Sequence, residues 1–135
     1  MKYLKYITES KSDLEISEEA KRDIDDYLLI LKDEGYEVET KVIMDYHGIL
    51  HVKILNHNNN TAKWKDFKYD LLSAISCVSD RFMPSYVYYK DVKSRSNGYK
   101  AWSNFLDYIQ DEQVLSHFSI ELAQIVDRKW YYGHI

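Results

Sequence analysis

A chain of 135 residues, 45% of them hydrophobic, carries enough apolar side chain for one core and is too short for two ordinary domains. Its formal charge of -4, from 18 basic and 22 acidic residues, sets nucleic acid aside as the expected partner, because affinity for a phosphate backbone needs clustered cations. One cysteine, Cys77, leaves no disulfide within the chain, and no apolar run reaches the roughly 18 to 20 residues of a membrane span or forms a secretory signal.

Residues 1 to 16 open with basic and aromatic residues and turn polar; they read as a tail or peptide, followed by a single α+β domain over 17 to 135. Ser17 is the expected N-cap of the first helix, with Glu18 and Glu19 in its first turn, where the helix dipole favours negative charge. Ala20, Ile24, Tyr27, Leu28 and Leu31 make its apolar stripe, and Gly35 its stop. From Tyr36, alternation of Val38, Thr40, Val42 and Met44 with Glu37, Glu39, Lys41 and Asp45 predicts a half-buried strand. A turn at His47 and Gly48 leads into a second, where Leu50, Val52 and Ile54 alternate with His51 and Lys53.

After the polar loop Asn56 to Thr61, Thr61 is the expected cap of a second helix striped by Trp64, Phe67, Leu71, Ile75, Val78 and Phe82, and Pro84 its expected stop. Ser85 to Val92 reads as a third strand. The turn-prone Ser94 to Gly98 admits a fourth strand from Tyr99, but Trp102, Phe105, Leu106 and Ile109 fit helical spacing, which predicts a short helix from about Tyr99 to Gln110. Leu115 to Leu122 alternates as a last strand; the competing reading is a helix over 113 to 130, which strands Ile120 on its wet side. The expected fold is α+β, with two amphipathic helices on one face of a small, mainly antiparallel sheet, in the order αββαβ and then αβ.

The five histidines, at 47, 51, 57, 117 and 134, show no helical i, i+4 pairing of the kind compact zinc sites use, so neither a metal nor a cofactor is expected. The sequence His117 to Ile120 resembles one copy of the His, apolar, Thr/Ser, apolar motif of the two-histidine phosphoesterases. Those enzymes use one imidazole as base and a second as acid. The nearest partner is His51 to Ile54, with Lys53 where the hydroxyl residue belongs, so the pattern is broken. His117 and His51 are nevertheless the candidate catalytic residues if the chain is an enzyme. Asp23, Asp25, Asp26, Asp111 and Glu112 read as solubilising surface. The basic and aromatic cluster of Tyr88, Tyr89, Lys90, Lys93, Arg95, Tyr99, Lys100 and Trp102 is the candidate binding surface, for a protein first and a nucleic-acid strand second.

The opening MKYLKYITES resembles the starts of small proteins of large tailed phages with contractile tails, and the helix and hairpin unit ending in KDEGYEV is similar to them. In some such phages a peptide of this kind addresses proteins to the prohead and is cut after Glu in the pattern Ile or Leu, any residue, Glu. Ile7, Thr8 and Glu9 match that pattern, as do Ile16, Ser17 and Glu18, which implies processing between Glu9 and Ser10. The resemblance implies a protein made in the host cytoplasm and delivered to the virion interior. The function expected on these grounds is a non-enzymatic binding protein acting on a host or virion protein; the alternatives are a small phosphodiesterase using His117 and a single-strand nucleic-acid binder.

Overall fold

The computed structural model describes residues 12–44, 48–56, 61–94 and 97–125. The opening motif with Glu9 and Ser10, the residues His47, His57 and Arg95, and the aromatic tail with His134 lie outside the described residues.

The first helix, α1 (Asp13–Tyr27), begins a turn earlier than Ser17. Ser12 is the cap: its hydroxyl accepts from the Glu15 N–H at 3.1 Å, with Asp13 and Glu15 in the first turn. Ser17 instead points into the core. The helix breaks at Leu28 and resumes as α2 (Leu29–Asp33), which Gly35 ends at φ 97°. Ala20, Ile24, Leu28 and Leu31 are buried as expected, whereas Tyr27 is half exposed, because the buried line steps by four and three residues past it.

The strands β1 (Tyr36–Met44) and β2 (Gly48–Asn56) form the expected antiparallel hairpin, with Val38 opposite Ile54 and Thr40 opposite Val52. Thr61 does not cap a helix: β3 (Ala62–Lys63) pairs with the last strand, and α3 (Trp64–Cys77) begins without a side-chain cap. Carbonyls of the facing loop satisfy its first turn, Gln113 accepting from the Trp64 N–H and Asp111 from the Lys65 N–H, each at 3.0 Å. Nor does Pro84 stop this helix, which ends at Cys77. Pro84 lies within β4 (Phe82–Asp91), beside a register shift and beyond the reach of its edge neighbour, where a strand tolerates a residue that cannot donate.

The expected helix from Tyr99 is replaced at its start by β5 (Asn97–Ala101), which pairs Tyr99 with Tyr88, and only then does the short α4 (Trp102–Tyr108) follow. The last strand, β6 (Val114–Gln124), buries Phe118, Ile120 and Leu122, and the helical reading of this stretch falls. It pairs antiparallel with both β2 and β4, giving the order β1-β2-β6-β4-β5 with β3 also on β6. The fold is α+β, as expected. The most central strand is thus among the last to be made, and the sheet closes through contacts distant in sequence.

The core lies between the helices and one sheet face. Phe118 of β6 is its hub, with ring centroids 5.2 Å from Phe67, 5.8 Å from Phe105 and 5.9 Å from Trp64. Tilted and edge-on aromatic pairs of this kind add about 0.5 to 1.5 kcal/mol each beyond their buried area.

Candidate functional site on the open sheet face

Strict alternation along each strand sends every second side chain away from the helices, and no described helix covers the opposite face of the sheet. A cleft of about 670 Å³ crosses it. Its lining comes from each strand in turn: Glu39 and Lys41 from β1, His51 and Lys53 from β2, His117 and Ser119 from β6, Tyr88 from β4, and Asn97 and Tyr99 from β5. The strand register sets their order, with Lys53 opposite Ser119, Ser119 opposite Tyr88, and Tyr88 opposite Tyr99.

At the β4–β5 end three half-exposed tyrosines form a platform. The Tyr99 ring lies 4.3 Å from that of Tyr88 and stacks at 4.9 Å, 18° from parallel, on Tyr86. Partial desolvation, then the hydroxyl of Tyr88, raises the Tyr99 phenol above its ordinary pKa. Toward β1 the face carries charges of both signs, Glu37, Glu39, Lys41 and Lys53. Glu39 pairs with Lys41 at 2.9 Å, first through that hydrogen bond and then through its charge, which lowers the Glu39 carboxyl. Lys53 faces Glu39 across the β1–β2 ladder, where its charge also helps lower that carboxyl, and Lys90 is paired across the ladder with His117. Desolvation, then the charges of Lys53 and His51, holds the His117 imidazole below its usual range.

The candidate cluster read from the sequence is divided by the sheet. Tyr88, Lys90 and Tyr99 share the open face. Tyr89 is buried on the helix side over Gly98, and Lys100 points the same way, with its ammonium 5.0 Å from the centre of the Tyr108 ring. Trp102 stacks on Phe105 at the rim of the core, while Lys93 is exposed in the turn after β4. Tyr86, Lys53 and Ser119 were missed. Their signal was the period-two pattern of the strands, which could have joined them once the pairing of β6 between β2 and β4 was known.

His51 and His117 reach the same cleft from adjacent strands. They are not opposite each other: His51 faces Glu121, and Ser119 separates Glu121 from His117 along β6. Among the described residues no group of three His, Cys, Asp or Glu side chains could hold a metal ion.

A separate polar knot closes the turn after β4. Buried Asp91 accepts from the Lys93 N–H at 2.8 Å, the Ser94 N–H at 3.1 Å, the Tyr108 hydroxyl and the Gln113 amide. Burial alone would raise this carboxyl; the hydrogen bonds of Gln113, Ser94, Lys93 and Tyr108 outweigh it and lower the pKa. Its donors are all internal, so its role is to hold the turn.

No helix among the described residues is long and apolar enough to cross a membrane. No family model, no curated protein and no solved structure matches the chain.

Proposed function

We propose that this chain is a non-enzymatic binding protein whose working surface is the open face of its sheet. One observation carries the reading: a continuous cleft across the strand order β1-β2-β6-β4-β5, with three adjacent tyrosines left 41 to 53% exposed. Clustered aromatic area of this kind, beside polar groups, is the usual composition of a recognition surface. The phage-type opening supports a protein made during infection, with a host or virion component as its target. The test is retention from a lysate of infected host cells on the immobilised full chain and on a Tyr88→Ala, Tyr99→Ala variant. A component held by the first and lost by the second is expected; equal retention by both overturns the reading.

A second reading is favoured by the sheet register, which brings the two histidine motifs to one cleft on adjacent antiparallel strands with Lys53 opposite Ser119. In it His117, depressed by burial and neutral near pH 7, is the general base on a phosphodiester and His51 the general acid. Metal-free turnover of cyclic nucleotides that His117→Ala abolishes is the expected result, and turnover unaffected by that substitution rules this reading out.

A further inference from the structure

We infer that this chain pairs with a second copy of itself through the outer edge of β1, joining two sheets into one. β1 is a sheet edge nine residues long; among the described strands it pairs only with β2, and that ladder runs from Tyr36 to Met44 without a register shift or a proline. The opposite edge, β5, has five residues. A long, regular edge offers a row of backbone N–H and C=O groups to any strand that fits, and natural sheets blunt such edges with bulges, prolines, short strands or lysines. β1 has neither bulge nor proline, and its lysine, Lys41, stands beside Glu39.

The sequence of β1 is complementary to itself about Thr40. Antiparallel pairing about a twofold axis at that residue overlaps the two strands along their whole length and sets Glu39 opposite the partner's Lys41, and Lys41 opposite the partner's Glu39. Glu39 then lies between Lys53 of its own β2 and the partner's Lys41. Moving the axis to Glu39 would set Glu39 against its own copy, and moving it to Lys41 would set two lysines together, so charge selects the register centred on Thr40. On the helix side this register sets Val38 against the partner's Val42, and Tyr36 against the partner's Met44, a side chain 44% exposed in the single chain. Thr40 meets the partner's Thr40. Its hydroxyl is buried without a hydrogen-bond partner, and two threonines facing each other across an antiparallel pair donate to and accept from one another. In the helix layer α2 packs on β1 and leaves Leu29 and Ile30 half exposed.

The experiment is sedimentation velocity of the full chain over a concentration series, with amide hydrogen exchange measured at the two ends of the series. A monomer–dimer equilibrium is expected, with exchange along β1 slowing as the dimer forms and exchange along β5 unchanged. Glu39→Lys and Lys41→Glu change side chains that are 44% and 65% exposed, so the core is untouched. Each variant alone puts like charges at both facing pairs and is expected to dimerise about tenfold more weakly than wild type. Mixed in equal amounts, the two variants present opposite charges at both pairs and should form a heterodimer about as tight as the wild-type dimer. A chain that stays monomeric to its solubility limit, a dimer of wild-type affinity in either single variant, or variants that do not pair when mixed overturns the inference. So does a dimer that slows exchange on β4 and β5 and not on β1, which would put the contact at the tyrosines. Retention of a lysate component through Tyr88 and Tyr99 is a separate result, because those side chains stand on the two strands farthest from β1; either reading can fail with the other intact.

Discussion

Ser17 gives a prediction whose sign depends on the tertiary structure. As an N-cap it would satisfy a backbone N–H, and Ser17→Ala would cost about 1 kcal/mol. In the structure Ser12 has that role, and Ser17 lies fully buried in the second turn of α1 with no hydrogen-bond partner for its hydroxyl. Alanine there gains about 0.5 kcal/mol of helix propensity and removes an unsatisfied buried group worth about 1 kcal/mol, less a few tenths for lost contacts. The net expectation is a stabilisation of about 1 kcal/mol, or roughly 3 to 5 °C in Tm for a domain of this size. Gly48 leaves the room that the hydroxyl fills: a Cβ at position 48 would fall 1.9 Å from Ser17 Oγ and 3.2 Å from Ser17 Cβ and Gln124 Oε1. Gly48→Ala should therefore cost about 1 to 3 kcal/mol, and less in a Ser17→Ala background, where the worst contact is gone. Urea unfolding followed by circular dichroism at constant m measures all four proteins. A lower midpoint for Ser17→Ala, or a Gly48→Ala penalty identical in both backgrounds, would falsify the packing described for α1 on β2.

Asp91→Ala strands the donors of a buried carboxylate and is expected to cost about 2 to 4 kcal/mol at pH 7. Because the folded pKa is lowered, that stabilisation is present above the unfolded value near about 3.9 and is lost as pH falls through the folded one; the gap between wild type and variant should narrow at pH 3, and a constant gap refutes the assignment. Tyr89 is pushed up to about 12 by burial first and then by Tyr108, so the fold should lose on the order of 2 kcal/mol between about pH 10 and pH 12. Tyr89→Phe should flatten this alkaline limb, and an unchanged limb counts against the buried phenol. Gly98→Ala places a Cβ 1.9 Å from Tyr89 Cζ, in a ring already held between Phe105 and Tyr108, and should cost about 1 to 3 kcal/mol by thermal melting; a variant within 0.5 kcal/mol of wild type would show that the ring moves freely.

What the sequence determined by itself is the local pattern. Period two marked the β1–β2 hairpin and β6, a stripe at helical spacing marked α1 and α3, and Gly35 marked a stop, since each depends on neighbours within a turn or a few residues. Tertiary contacts decided the rest. Tyr99 entered a strand because Tyr88 was there to pair with it, and Trp64 began a helix because carbonyls of Asp111 and Gln113 received its first N–H groups. The candidate site was half legible: Tyr88, Lys90 and Tyr99 were found together, while Tyr89, Lys100 and Trp102 were joined to them by proximity in sequence and parted by the pleat. His51 and His117 came to one cleft through the pairing of β2 with β6, across more than half the described chain. Side-chain direction follows from each strand alone, but which strands lie side by side is a property of the folded sheet, and a binding face is made of neighbours.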